Sequence, residues 1–162
     1  LRGDLPSFAV MREPVERFVS AWRYARGGGR HNAVAAPFRK QYRGFHSIDD
    51  ALDHVEQARS LFEIDHVFRP QSAYLLDAHH RIGVDAIVRF GTGVALAPQL
   101  RRCGIDALPW LNRSQLAAQA LSDGQIARIR RLYAIDVALF EDHGVAPPER
   151  FTPPPPRARR PW

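Results

Sequence analysis

The sequence has little cysteine, little lysine and no long apolar run. Cys103 is the sole cysteine among 162 residues, so no disulfide can form within the chain. That excludes a small disulfide-stapled scaffold and leans mildly towards a reducing compartment. The longest apolar stretches, such as residues 94–98, fall far short of the roughly 20 residues that span a bilayer, so no membrane helix is expected. No signal or transit segment is legible: the sequence opens on Leu1 and runs at once into a strand-like stretch. Lys40 is the only lysine, so 22 of the 23 basic residues are arginine, and 17 acidic residues leave a net charge of +6. The planar, permanently charged guanidinium suits phosphate and sulfate. The arginine excess therefore points weakly to an anion-handling protein, although a GC-rich coding bias enriches alanine, arginine and proline in the same way. Hydrophobic residues at 45% and charged residues at 25% are ordinary for a globular domain and exclude wholesale disorder.

Along the chain, Ser7 to Met11 is a short apolar run that reads as a buried strand. Pro14 then stands where the first turn of a helix tolerates proline. Val15, Phe18, Val19 and Trp22 follow at i, i+3, i+4 and i+7, one apolar helical stripe with Trp22 as a packing residue. Gly27-Gly28-Gly29 ends that helix and opens an expected loop of about twenty residues, through His46, that carries Lys40. Ser47-Ile-Asp-Asp50 resembles a capped helix start with Ala51, Leu52 and Val55 on its inner face. Asp77 to Gly83 reads as a turn, Ala86 to Phe90 as a strand, and Ala95 to Cys103 as a short helix stopped by Gly104. Ser122 or Asp123 caps a long terminal helix whose stripe is Ile126, Ile129, Tyr133, Val137 and Phe140, with Gly144 at its end. Residues 1–145 are read as one domain and 146–162, with Pro153 to Pro156 and Arg157-Ala-Arg-Arg160, as a disordered tail. The order of elements is that of an α/β chain with few strands, mostly helical.

Chemistry concentrates between Phe8 and Trp22, F-A-V-M-R-E-P-V-E-R-F-V-S-A-W. A strand ends in Arg12, a proline-started helix follows, and Ser20 lies on that helix. Strand ends that feed helix N-termini are where open α/β sheets bind phosphate-bearing ligands. There an arginine offers a bidentate grip and a serine a neutral donor. The same spacing also fits an arginine capping a sheet edge and a serine with no ligand.

The stretch R-E-P-V-E-R-F-V-S-A-W resembles the R-x-P-x-x-R-x-x-S-x-Y/W signature of the Golgi-type carbohydrate sulfotransferases and their bacterial relatives. Further segments follow in that family's order. Asp65-His66-Val-Phe-Arg-Pro70-Gln71 is similar to its H-x-x-P-Q segment, with three residues in place of two between His66 and Pro70, and Asp85 to Phe90 to a strand that relatives follow with Glu, where this chain has Gly91. Leu108-Pro-Trp-Leu-Asn112-Arg113-Ser114 is similar to its L-P-x-x-N-x-S loop, and Tyr133, Asp136, Leu139 and Phe140 to its Y-x-x-D-x-x-L-F helix. The resemblance covers Phe8 to Phe140.

It implies a P-loop-like three-layer sulfotransferase fold, of which this chain would hold the C-terminal portion, since the family's phosphosulfate-binding loop precedes the signature by many residues. It also implies an enzyme that transfers a sulfuryl group from 3′-phosphoadenosine 5′-phosphosulfate to a hydroxyl of a carbohydrate or similar acceptor, with no turnover expected from this chain alone. Arg12 and Ser20 would bind the donor's 3′-phosphate, with Arg113 and Ser114 on a loop near the nucleotide and no metal required. His66 is the candidate for an acceptor-side base or hydrogen-bond donor, the alternative being a histidine that pins a loop. His79 and His80, adjacent and beside Asp77, read as a polar turn and not a metal site. Two other functions stay open: a non-catalytic relative that binds a nucleotide or a sulfated glycan, and a basic nucleic-acid-binding domain. No helix–turn–helix, zinc or RNP-type pattern supports the second, so no nucleic-acid partner is expected. The expected location is the cytoplasm for a bacterial protein, or a Golgi membrane if an anchor lies upstream.

Overall fold

Strand β1 (Phe8–Arg12) and strand β2 (Ala86–Phe90) pair in parallel, in register from Phe8 opposite Ala86 to Arg12 opposite Phe90. A parallel pair needs a long crossover. Here the intervening chain supplies helices α1 (Pro14–Arg26), α2 (Ala36–Arg43) and α3 (Ile48–Gln57), a 3₁₀ turn (Leu61–Glu63) and the short helix α4 (Ser72–Leu75). Helices α5 (Asp123–Leu132) and α6 (Ala134–Asp142) follow β2 among the described residues. The computed structural model describes residues 7–27, 34–90 and 120–142. The fold among these residues is mixed α/β and mostly helical, with a two-stranded parallel sheet. Among these residues no helix is long and apolar enough to cross a membrane.

The described chain divides into two compact units. The first, residues 7–13, 71–90 and 135–142, holds the sheet, α4 and most of α6. Its core is Met11, Leu75 and Leu139, with Ala9, Ile87, Ile135 and Phe140 packed against it. The strand starts are stapled by Asp85, whose carboxylate accepts the Ser7 N–H at 2.7 Å and the Ser7 hydroxyl at 2.8 Å.

The second unit, residues 14–27, 34–70 and 120–134, is helical. Pro14 stands at the first residue of α1, and Phe18 and Trp22 from the expected stripe are buried, with Val15 and Val19 partly so. Helix α3 begins with a capping box: the Ser47 hydroxyl accepts the Asp50 N–H, and the Asp50 carboxylate accepts the Ser47 N–H. Its inner face buries Ala51, Leu52 and Val55 completely. Ser122 and Gln125 form a second capping box at α5. Between α3 and α5, Arg128 donates to Asp49 at 3.0 Å, to Glu56 at 2.8 Å and to Asp53.

Two expectations are corrected. The segment read as a long loop through His46 contains α2, and Lys40 stands exposed on that helix. Pro37 in its first turn presets the backbone, and Phe38 and Tyr42, four residues apart, turn one side to the core, where their rings stack at 5.5 Å. The long terminal helix is instead two helices, broken at Tyr133, whose φ of −108° and ψ of 37° leave the helical region. A straight helix would keep Ile129, Tyr133, Val137 and Phe140 on one face. In α6, Asp136 and Leu139 are buried and Val137 and Phe140 partly so. The expected helix at Ala95 to Cys103, Gly91, the Asn112-Arg113-Ser114 loop and the tail 146–162 lie outside the described residues.

Candidate functional site

In the first unit, Arg12 ends β1 at the carboxyl edge of the parallel pair, the edge where α/β sheets bind ligands. Its guanidinium carbon lies 5.7 Å from the ring centroid of Phe90, its register partner on β2. The Arg12 backbone is held at two points by one side chain. Its N–H donates to Gln71 Oε1 at 2.9 Å, and its carbonyl accepts Gln71 Nε2 at 2.8 Å. A side-chain amide has one acceptor and one donor end, so Gln71 does for Arg12 what a neighbouring strand would.

Gln71 is itself anchored. Its N–H donates to Asp136 Oδ2 at 2.6 Å, and the next N–H, of Ser72, donates to Asp136 Oδ1 at 2.8 Å. Asp136 is 1% exposed. A buried carboxylate is costly unless hydrogen-bonded, and these two N–H groups at the start of α4 meet that need. Nearby on β2, Arg89 stacks on the Phe140 ring at 4.6 Å and donates to the Phe140 and Glu141 carbonyls, which finishes α6.

In the second unit, His66 forms a dyad with Asp65. Its Nδ1 lies 2.9 Å from Asp65 Oδ1, with the imidazole side chain 53% exposed and the carboxylate buried. The carboxylate also accepts the Ala35 N–H at 2.8 Å and the Val67 N–H at 3.1 Å. A carboxylate with no proton to give takes the Nδ1–H, which leaves the Nε2 lone pair for an incoming proton. That is the arrangement of an oriented general base. The Asp65 N–H donates to the Tyr42 hydroxyl at 2.8 Å, and His54 Nε2 meets the same hydroxyl at 3.2 Å. Burial pushes the Tyr42 hydroxyl well above the usual tyrosine range and holds His54 below the usual histidine value.

Ser20 lies on α1 and is half-buried, in the second unit, whereas Arg12 belongs to the first. Arg113 and Ser114 lie outside the described residues. His79 and His80 sit in an exposed turn closed by Asp77, which accepts the His79 and Arg81 N–H groups. Among the described residues no group of three His, Cys, Asp or Glu is placed to hold a metal ion. Sequence reasoning missed two roles. Asp65 as the orienting partner of His66 had a signal, an acidic residue adjoining the histidine. The clamp of Gln71 on Arg12 had none, because a glutamine before a short helix does not announce which backbone it reaches.

No family model, curated protein or solved structure matches the chain.

Proposed function

We propose that the chain is a carbohydrate-type sulfotransferase with a P-loop-like three-layer fold, transferring a sulfuryl group from 3′-phosphoadenosine 5′-phosphosulfate to a carbohydrate hydroxyl. The observation that supports this reading best is the hydrogen-bonded chain from Arg12 through Gln71 to Asp136. It joins three of the segments that resemble the family, and it ends at the carboxyl edge of a parallel strand, where a phosphate-bearing ligand is at home. Arg12 fits a 3′-phosphate because a guanidinium makes paired, charge-assisted hydrogen bonds to its oxygens. The resemblance assigns Ser20 to the same nucleotide.

In the reaction the acceptor oxygen attacks sulfur, the bond from sulfur to the bridging phosphate oxygen breaks, and adenosine 3′,5′-bisphosphate departs with that electron pair. The acceptor's proton goes to His66 Nε2, with Asp65 holding Nδ1–H and stabilising the imidazolium that forms. As in phosphoryl transfer, positioning and charge stabilisation do most of the work.

Calorimetry with adenosine 3′,5′-bisphosphate and adenosine 5′-phosphate tests the nucleotide assignment. Arg12→Ala removes a bidentate contact of about 1.5–3 kcal/mol, so the bisphosphate should weaken at least about tenfold and the monophosphate little. Ser20→Ala should show a smaller loss in the same direction. A radiolabelled-sulfate transfer assay with carbohydrate acceptors tests the reaction on a protein that includes the phosphosulfate-binding loop, with His66→Ala expected to lower turnover at least about a hundredfold while leaving bisphosphate binding intact. Equal losses for both nucleotides in Arg12→Ala, or retention on DNA in preference to the bisphosphate at matched salt, would overturn the reading.

A further inference from the structure

We infer that Gln71 is a positioning residue for Arg12, and that selectivity for a 3′-phosphorylated nucleotide depends on the Asp136–Gln71–Arg12 chain. This rests on the nucleotide reading above and deepens it.

Arg12 is the last residue of β1, where a strand's own ladder no longer fixes the backbone on both sides. A guanidinium that frays with its backbone grips a phosphate poorly, and a misplacement near 1 Å costs binding geometry steeply. Gln71 prevents this by bonding both polar groups of the Arg12 peptide backbone, at 2.9 and 2.8 Å. The amide cannot be flipped without losing both bonds, so its orientation is fixed by the network. Its own backbone N–H is tied at 2.6 Å to a carboxylate that is 1% exposed, and that carboxylate has its other oxygen on the Ser72 N–H. Asp136 is in turn carried by α6 beside Leu139, which is fully buried in the same small core as Met11, the residue before Arg12. Restraint therefore runs from the core to the strand end through two side chains, those of Asp136 and Gln71. On the guanidinium side the Phe90 ring gives a second restraint at 5.7 Å. Two bonds to the same residue fix the direction of the Arg12 backbone.

The test is a double-mutant cycle on the full chain, with adenosine 3′,5′-bisphosphate as probe, adenosine 5′-phosphate as control and the thermal midpoint read beside both. Gln71→Met keeps the length and shape and removes both bonds. It should weaken the bisphosphate about five- to tenfold and change the monophosphate less than about twofold. Arg12→Ala/Gln71→Met should bind no more weakly than Arg12→Ala, because Gln71 acts only through Arg12. Asp136→Asn, which keeps shape and one acceptor, provides a second entry to the same chain and should show the same selective loss, smaller in size. Additive losses in the double variant, or parallel losses for the two nucleotides, would overturn the inference and leave the Arg12 assignment standing. No bisphosphate binding by the unaltered chain would overturn both.

Discussion

The Tyr133 hydroxyl donates to the Phe68 carbonyl across 2.6 Å in the buried core of the helical unit. Tyr133 is where the backbone leaves α5, and Phe68 sits in the turn that follows the His66–Asp65 dyad. Both rings also pack on Phe18 of α1, at 5.8 and 5.5 Å between centroids. One hydrogen bond and a three-ring cluster thus fix the turn whose front carries the proposed base.

Tyr133→Phe should keep the ring contacts and lose only the donor. A buried carbonyl left without a partner costs about 1–3 kcal/mol, so urea unfolding should show a loss of that order with an unchanged m-value. A loss below about 0.5 kcal/mol would mean that another donor reaches the Phe68 carbonyl.

The two capping boxes should each carry a comparable, independent share. Ser47→Ala and Ser122→Ala remove the hydroxyls that accept the Asp50 and Gln125 N–H groups. Each should cost about 1 kcal/mol, and the double variant about the sum, since they cap different helices. Thermal unfolding of the four chains reads this directly, and a double variant no worse than the single ones would contradict it.

Arg128 ties α5 to the acidic face of α3, and its hydrogen bond to Glu56 holds that carboxyl below the usual glutamate range. A carboxylate with a depressed folded value contributes stability that is present above its unfolded pKa and is lost as pH falls through the folded one. Arg128→Met should therefore lose about 0.5–1 kcal/mol at pH 7, the amount solvent screening leaves to a partly exposed pair. The gap to the unaltered chain should begin to narrow as pH falls below about 4.3, close once the pH is below the folded value, and narrow in high salt. A gap that persists at low pH would assign the effect to packing of the arginine stem.

Legibility followed locality. Pro14, the stripe ending at Trp22 and the S-x-x-D start at Ser47 are local patterns whose physics is complete within a turn or two, and α1 and α3 stand where they indicate. Helix α2 was hidden because four of its eight residues are charged or amide side chains and only Phe38 and Tyr42 mark an inner face. The break at Tyr133 was invisible for the opposite reason. The stripe from Ile126 to Phe140 suits one helix, yet the backbone leaves helical geometry at Tyr133, whose hydroxyl bonds Phe68, 65 residues away. The same holds at the candidate site: Arg12 and His66 could be singled out, and Asp65 adjoins His66 in the sequence, while Gln71 orients a residue 59 positions away that only folding brings near.

His54 gives the sharpest test in pH. Its ring lies among Tyr42 at 5.2 Å and Phe45 at 5.7 Å, with Nε2 on the Tyr42 hydroxyl and Nδ1 facing the Gln41 amide at 3.2 Å. Both ring nitrogens have hydrogen-bond partners, and burial favours the neutral ring. Burial disfavours the charged form and lowers the His54 pKa in the folded chain, whereas the unfolded chain titrates near the ordinary value of about 6.5. Between the two values the unfolded state binds more protons, so stability rises with pH there. The contribution is whole above about 6.5 and is lost as pH falls through the folded value. His54→Gln keeps a neutral donor and acceptor of similar reach and removes the titration. The unfolding free energy of the unaltered chain should fall from pH 7.5 to 5.5 by more than that of His54→Gln, the other histidines cancelling in the comparison. Equal falls in the two chains would show that His54 stays solvated enough to take up its proton without disturbing Tyr42, and the buried network behind the His66–Asp65 dyad would then have to be redrawn.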